Sequence, residues 1–139
     1  VKDAYLQALA HGALGLLYAK LDRFEEAYLH FQQALRFDRE VGAEMGVGFV
    51  LNNLADAYFA SGRIDEAIKT HRQALELRRK IGHRQGEGAS LRSLGKALRY
   101  AGDLPGARRA LQEALAVFDS LGQAEAADVR ADLEALPAV

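Results

Sequence analysis

The sequence predicts an all-α fold, a solenoid of stacked helical hairpins, on three observations. The chain repeats itself with a 40-residue step: Leu14, Leu54 and Leu94 stand in register, as do Gly15/Ala55/Gly95, Tyr18/Tyr58/Leu98, Ala27/Ala67/Ala107 and Ala34/Ala74/Ala114, while Gly42, Gly82 and Gly122 mark the linkers. Within each copy the apolar residues recur at three- and four-residue intervals, which builds one buried face on a helix. The helix breakers fall between these stretches, since the only prolines are Pro105 and Pro137 and the glycines gather near helix ends and close-packing positions. A unit of this size is too small to bury its apolar face alone and must bury it on its neighbours.

The elements follow in order. The first copy predicts helices near residues 3–20 and 24–40. In the second, Phe49, Val50, Leu51, Leu54, Ala57 and Tyr58 form one face of a helix from Gly48 to Ala60. Ser61-Gly62-Arg63 ends it, because glycine accepts the left-handed backbone of a helix terminus. Its partner runs from Ile64 to Lys80, with Asp65 and Glu66 in the first turn and Arg78, Arg79 and Lys80 in the last, each sign opposing the local helix-dipole charge. The third copy gives 84–101 and 104–120, with Pro105 at a helix start where its missing N–H is harmless. Residues 124–136 form a last helix, with Ala124, Ala127, Leu133 and Leu136 on one side and Glu125, Asp128, Asp132 and Glu134 among the others, a polar cap. The units therefore cover about 8–47, 48–87 and 88–122, with a capping helix over about 123–136, all in one domain spanning 1–139.

Half of the residues are hydrophobic and 27% charged, ordinary values for a globular domain. A net charge of −1 argues against affinity gained by displacing counterions from nucleic acid or an anionic membrane. The absence of cysteine removes disulfides, thiolate metal sites and thiol nucleophiles, and fits a reducing, cytoplasmic setting. There is no run of about 18 apolar residues and no signal peptide. The chain begins at Val1 inside a helical pattern without an initiator methionine, so it is expected to be a piece of a longer protein. Val1, Tyr5, Leu6, Leu9, Leu16 and Leu17 wrap much of the first helix, which calls for upstream repeats or a second copy to cover it.

The residues in register resemble tetratricopeptide repeats. The second copy carries Leu51, Leu54, Ala55, Tyr58, Gly62, Ala67, His71 and Ala74; the first, His11, Leu14, Gly15, Tyr18, Ala27, Phe31 and Ala34; the third, Leu91, Leu94, Gly95, Leu98, Ala107, Leu111 and Ala114. The resemblance covers roughly residues 8–122 and implies a right-handed superhelical solenoid of three helix-turn-helix units. Ala or Gly at the crossing points lets helices approach, and Leu and Tyr fill the gaps. Two departures stand out. The family's helix-ending proline is replaced by Arg39, Arg79 and Asp119, and the unit exceeds the common length of about 34 residues, so the second helix should run on by about a turn and a half. Longer units of this kind are similar to those of kinesin light chains, of spindle-orienting G-protein modulators and of bacterial multidomain regulators. The linker Glu76-Leu77-Arg78-Arg79-Lys80-Ile81-Gly82-His83-Arg84-Gln85-Gly86-Glu87 most resembles the regulators.

The resemblance also implies a concave groove lined by the first helix of each unit. Carried over, it presents Leu9, Gly12, Leu16, Ala19 and Lys20, then Phe49, Asn52, Asp56, Phe59 and Ala60 with Asn53 adjoining, then Ala89, Arg92, Lys96, Arg99 and Tyr100. The groove grades from apolar, through amide and aromatic, to basic. An amide donates and accepts, so Asn52 suits a peptide backbone, whereas Asn53 has an even claim to bridging helices. Arg92, Lys96 and Arg99 share a helix face and repel one another unless an anion or an acidic partner intervenes; otherwise they form a solvated face near Asp56 or Asp103. Phe49, Phe59 and Tyr100 serve as aromatic anchors or as core. The family's clamp for a C-terminal carboxylate is absent, since Gly12 and Leu16 stand where Lys and Asn are needed and Ala89 and Ser93 replace its further cations.

No catalytic constellation is legible, and neither a cofactor nor a metal is expected. His11, His30, His71 and His83 are scattered, with His11 and His71 at packing positions, and no pair has metal-ligand spacing on one helix. Glu25-Glu26 and Asp65-Glu66 are explained by the helix dipole. The glycines near Gly42, Gly46 and Gly48 lack the Lys-Ser/Thr of a phosphate loop. The sequence thus points to a non-catalytic module binding a protein or peptide, with acidic residues suiting the basic end. Oligomerisation through the first helix, or packing on a neighbouring domain, is the alternative. Nucleic-acid binding through Arg72, Arg78, Arg79, Lys80 and Arg84 is weaker, because these residues serve a helix C-terminus.

Overall fold

The computed structural model describes residues 2–138. Seven helices account for nearly all of them: α1 (Lys2–Lys20), α2 (Phe24–Val41), α3 (Glu44–Ala60), α4 (Ile64–Lys80), α5 (Arg84–Tyr100), α6 (Leu104–Leu121) and α7 (Glu125–Glu134). No strand occurs among the described residues. Consecutive helices pair as hairpins α1–α2, α3–α4 and α5–α6, and each hairpin packs on the next. The first helices also touch one another, α1 with α3 and α3 with α5, more closely than the second helices do. That asymmetry curves the stack and makes α1, α3 and α5 its inner row.

The linkers show why the repeat breaks where it does. Gly42, Gly82 and Gly122 have φ of 72°, 72° and 64°. After α2, the Gly42 N–H donates to the Arg39 carbonyl at 3.2 Å and the Ala43 N–H to the Asp38 carbonyl at 2.8 Å, a paired closure of the last turn that needs the left-handed residue. At the other end of a helix, the Asp103 carboxylate accepts from the Gly106 N–H at 2.9 Å and caps α6, with Pro105 in the first turn.

Small residues sit where helices cross. A Cβ on Gly15 would come within 2.5 Å of the Phe31 ring, and one on Gly95 within 2.8 Å of Leu111. Phe31, Ala55, Ala67, Ala74, Ala107 and Ala114 are fully buried. One apolar cluster joins α2, α3 and α4 around Phe31, Leu51 and Leu54, and a second joins α4 to α7 around Leu94, Leu111, Phe118 and Val129.

Two boundaries differ from the sequence expectation. Helix α3 begins at Glu44, a turn before Gly48, since Val47 and Gly48 are already buried in it. In α7 the buried residues are Ala126 and Val129, followed by Leu136, while Ala124 and Ala127 are exposed. Ala126, Val129 and Leu136 fall 39 residues after Glu87, Ser90 and Ala97 of α5, a slip of one residue from the repeat step. The slip places Val129, the larger apolar side chain, in the core instead of two alanines.

The first helix leaves Tyr5, Leu6, Leu9, Leu16 and Leu17 roughly half exposed; Val1, grouped with them from the sequence, lies outside the described residues.

Candidate functional site

The inner row leaves a cavity of about 670 Å³ between α3, α4, α5 and α7, lined by Asp56, Phe59, His71, Arg92, Lys96, Arg99 and Asp132 with Ser93 and Leu111 behind them. The repeat explains its position. Residues at the helix crossings are fixed by packing, and those one step round the helix face the trough with no neighbour to dictate them.

Of the residues singled out from the sequence, Asp56, Phe59, Arg92, Lys96 and Arg99 meet in this cavity. Tyr100 lies at its edge, with its ring 5.4 Å from Phe59 in an edge-on arrangement, and shares a shallower hollow with Phe59, Lys96 and Arg99. The Lys96 ammonium sits over the Phe59 ring, 5.0 Å from its centre. Arg92 does not wait for an outside anion, because its Nε donates to Asp132 Oδ2 at 2.7 Å. That bond is the main reason the Arg92 pKa is raised, and Asp132, Asp128 and Glu125 add charge of the same effect. Arg99 has no ion-pair partner among the described residues.

Asn52 is committed to holding helices together. Its Oδ1 lies 3.1 Å from His71 Nδ1 and accepts from the Ser90 hydroxyl at 3.5 Å, bridging α3 to α4 and α5. His71, 1% exposed, has its other nitrogen 3.4 Å from Asp56 Oδ1, so it forms the floor beneath the acidic side of the cavity. The bridging expected of Asn53 thus falls to Asn52, while Asn53 makes no side-chain hydrogen bond among the described residues. Phe49 lies away from the cavity: its ring packs against His83 at 5.5 Å and under the Arg78 guanidinium at 5.0 Å.

Arg78 is the largest side chain buried almost completely, at 2% exposure. Its Nη1 donates to the Gly86 carbonyl and the Ser90 hydroxyl, both at 3.0 Å, and its Nε has no partner among the described residues. Burial lowers its pKa. The rest of the basic run is spent similarly. Arg79 pairs with Glu87 and Glu113, Arg84 with Glu87, and Lys80 with Glu44. Of the residues weighed for nucleic acid, Arg79, Lys80 and Arg84 thus pair with carboxylates of the chain itself and Arg78 is buried on a carbonyl and a hydroxyl. Asp103, offered as a neighbour of the groove cations, caps α6 instead.

Sequence reasoning missed two features. From the sequence Asp132 belongs to a polar cap, whereas burial of Val129 in the core turns it toward Arg92. His11 and His30, read as scattered, meet across α1 and α2 with their Nδ1 atoms 3.0 Å apart, stacked among Tyr18 and Phe37. Burial, then the charges of His30 and Arg36, lower the His11 pKa. Among the described residues no group of three or more His, Asp or Glu gathers as metal ligands would, and no helix is long and apolar enough to cross a membrane.

The tetratricopeptide repeat family is matched over residues 47–120 and again over residues 8–40. The chain belongs to this family. No curated protein matches it significantly in sequence. Among solved structures, the tetratricopeptide repeat (TPR) stack is similar to the apo form of RapI, at 15% identity and a TM-score of 0.86, covering 93% of this chain and 47% of RapI. It is also similar to the TPR2AB-domain:pHSP90-complex of yeast Sti1, at 25% identity and a TM-score of 0.77, covering 91% of this chain and 45% of that one. A putative kinesin light chain of Podosopora anserina shares 19% identity at a TM-score of 0.75, over 89% of this chain and 62% of its own. The chain thus spans about half the length of RapI and of the Sti1 TPR structure.

Proposed function

We propose that the chain is a non-catalytic peptide-binding scaffold whose site is the cavity between α3, α5 and α7, and that its ligand is a protein segment carrying acidic side chains. The observation that carries this reading is the pairing of Arg99, which has no ion-pair partner among the described residues, with Lys96 on a shared wall beside two accessible aromatic rings, Phe59 and Tyr100. Cations in a concavity strengthen an acidic ligand's encounter, and the rings give its side chains an apolar surface. The Sti1 structure, of the same family, is a complex with pHSP90, which supports a binding role without supplying a ligand, because the residues at the family's carboxylate clamp differ here. The long unit and the basic linker favour a sensor or interaction part of a cytoplasmic multidomain bacterial regulator. Fluorescence anisotropy with an acidic peptide tests the site. Lys96→Glu with Arg99→Glu should weaken binding by at least about tenfold, and unchanged affinity would reject the groove.

A second reading rests on α1. Leu17 is 53% exposed, whereas Ala57 and Ala97, its counterparts in the next two units, are buried. With Leu6, Leu9 and Leu16 it offers an apolar stripe that a second copy could cover. Sedimentation of the chain, before and after Leu6→Glu with Leu9→Glu, decides this, since a strict monomer before mutation excludes it.

A further inference from the structure

We propose that Asp132 is a selectivity residue of the groove: the carboxylate of α7 holds Arg92 where an acidic ligand's carboxylate would bind, so a ligand reaches the full cationic wall only by displacing it. This rests on the peptide-binding reading above.

The geometry has three parts. Arg92, Lys96 and Arg99 project from one face of α5, and a carboxylate of the chain itself already caps the first of them at 2.7 Å. That pair is open to competition, since Arg92 and Asp132 keep 40% and 38% of their side-chain surface in water. An ion pair this exposed is worth little and exchanges readily. The helix that delivers Asp132 is also the shortest and most lightly anchored in the stack. Helix α7 has ten residues and fully buries only Ala126 and Val129, helped by the partly buried Leu133, by Leu136 beyond its end and by Arg130–Asp119 on its outer side.

Asp132 therefore acts as a threshold. A ligand with one weak anionic group is served by Lys96 and Arg99, which α7 leaves open. A ligand with closely spaced carboxylates gains Arg92 as well, at the cost of breaking the Arg92–Asp132 pair and loosening α7. The wall would favour dense acidic segments over isolated acids.

The test uses the whole chain and a fluorescent hexaglutamate peptide at low salt. Asp132→Asn keeps the side-chain shape but removes the competitor, and should tighten binding by roughly two- to fivefold, the range expected for an exposed ion pair. Glu134→Gln, an exposed site on the same helix outside the cavity, makes the same change in net charge and should shift affinity much less. Asp132→Glu should restore affinity toward that of the parent. Amide exchange in α7 should speed up when peptide is added, whereas a ligand that merely rests against the helix would slow it. Equal effects of Asp132→Asn and Glu134→Gln would reduce the matter to net charge and overturn the proposal. So would unchanged or weaker binding by Asp132→Asn. Absence of hexaglutamate binding by every variant would remove the acidic-peptide reading itself, and the proposal with it.

Discussion

The first and third repeats have the same backbone and opposite surfaces. Gly15 and Gly95 occupy the same crossing point, and in both a Cβ would collide with the facing helix, against Phe31 in one and Leu111 in the other. One step round the helix the likeness ends, where Gly12, Leu16 and Ala19 in the first unit answer to Arg92, Lys96 and Arg99 in the third. The repeat fixes only the residues that helices bury against each other. Positions facing the trough are free to differ, and the proposed binding site lies there.

The sharpest way to break this division is to alter a packing residue and a surface residue of one helix. Phe31 is fully buried, so Phe31→Ala should cost about 3–5 kcal/mol, whereas Leu29→Ala, at an exposed position of the same helix, should stay within about 0.5 kcal/mol. Denaturant unfolding of both variants measures the difference.

Gly12 and Gly15 test the same division within one turn. Gly15→Ala drives a methyl into the Phe31 ring and should destabilise by about 1–3 kcal/mol. Gly12 has nothing within 4 Å of its would-be Cβ, so Gly12→Ala should stabilise by about 0.5–1 kcal/mol through helix propensity. Equal effects at the two sites would contradict the packing account.

Helix starts differ between the units as well. Only α6 among the described helices with a defined start has a side-chain cap, Asp103 on the Gly106 N–H, while Arg23 and Arg63 stand at the same place before α2 and α4 without one. Asp103→Ala should cost about 1 kcal/mol, and Arg63→Ala less, in thermal melts.

The smallest effect concerns pH and the first hairpin. The folded His11 pKa is lowered, so the unfolded chain takes up a proton more readily. Stability should therefore fall as pH drops from neutrality through the ordinary histidine value near 6.5 and down through the depressed folded one. His83, lowered by its burial and by Arg78, adds to the same slope. His11→Gln should flatten part of the dependence of melting temperature on pH, and an unaltered slope would show that the ring pair does not contribute.

The fold was legible in the sequence because packing repeats. Ala27, Ala67 and Ala107 recur at a fixed step because each is buried at the same helix crossing, Leu54 and Leu94 fill matching gaps whereas Leu14 stays 38% exposed, and the linker glycines recur because each takes the same left-handed backbone. The groove was legible in part. Arg92, Lys96, Arg99, Asp56 and Phe59 follow from the family resemblance carried over by register, yet register does not show that Asn52 spends its amide on His71 and Ser90, or that Phe49 packs on Arg78 and His83. Those partners come from neighbouring helices whose rotation the repeat leaves undetermined. Asp132 escaped because α7 departs from the repeat step by one residue, choosing Val129 for the core, and such a slip depends on side-chain volume at the end of the stack.

The proposed site places recognition on α5 and its surroundings. Backbone amide shifts of the isotopically labelled chain, followed by NMR during titration with hexaglutamate, test it most directly. Perturbations are expected at Phe59, Arg92, Lys96 and Arg99, extending into α7 and leaving α1 undisturbed. Shifts confined to Tyr5–Leu17, or to α2, α4 and α6 with α5 silent, would contradict it.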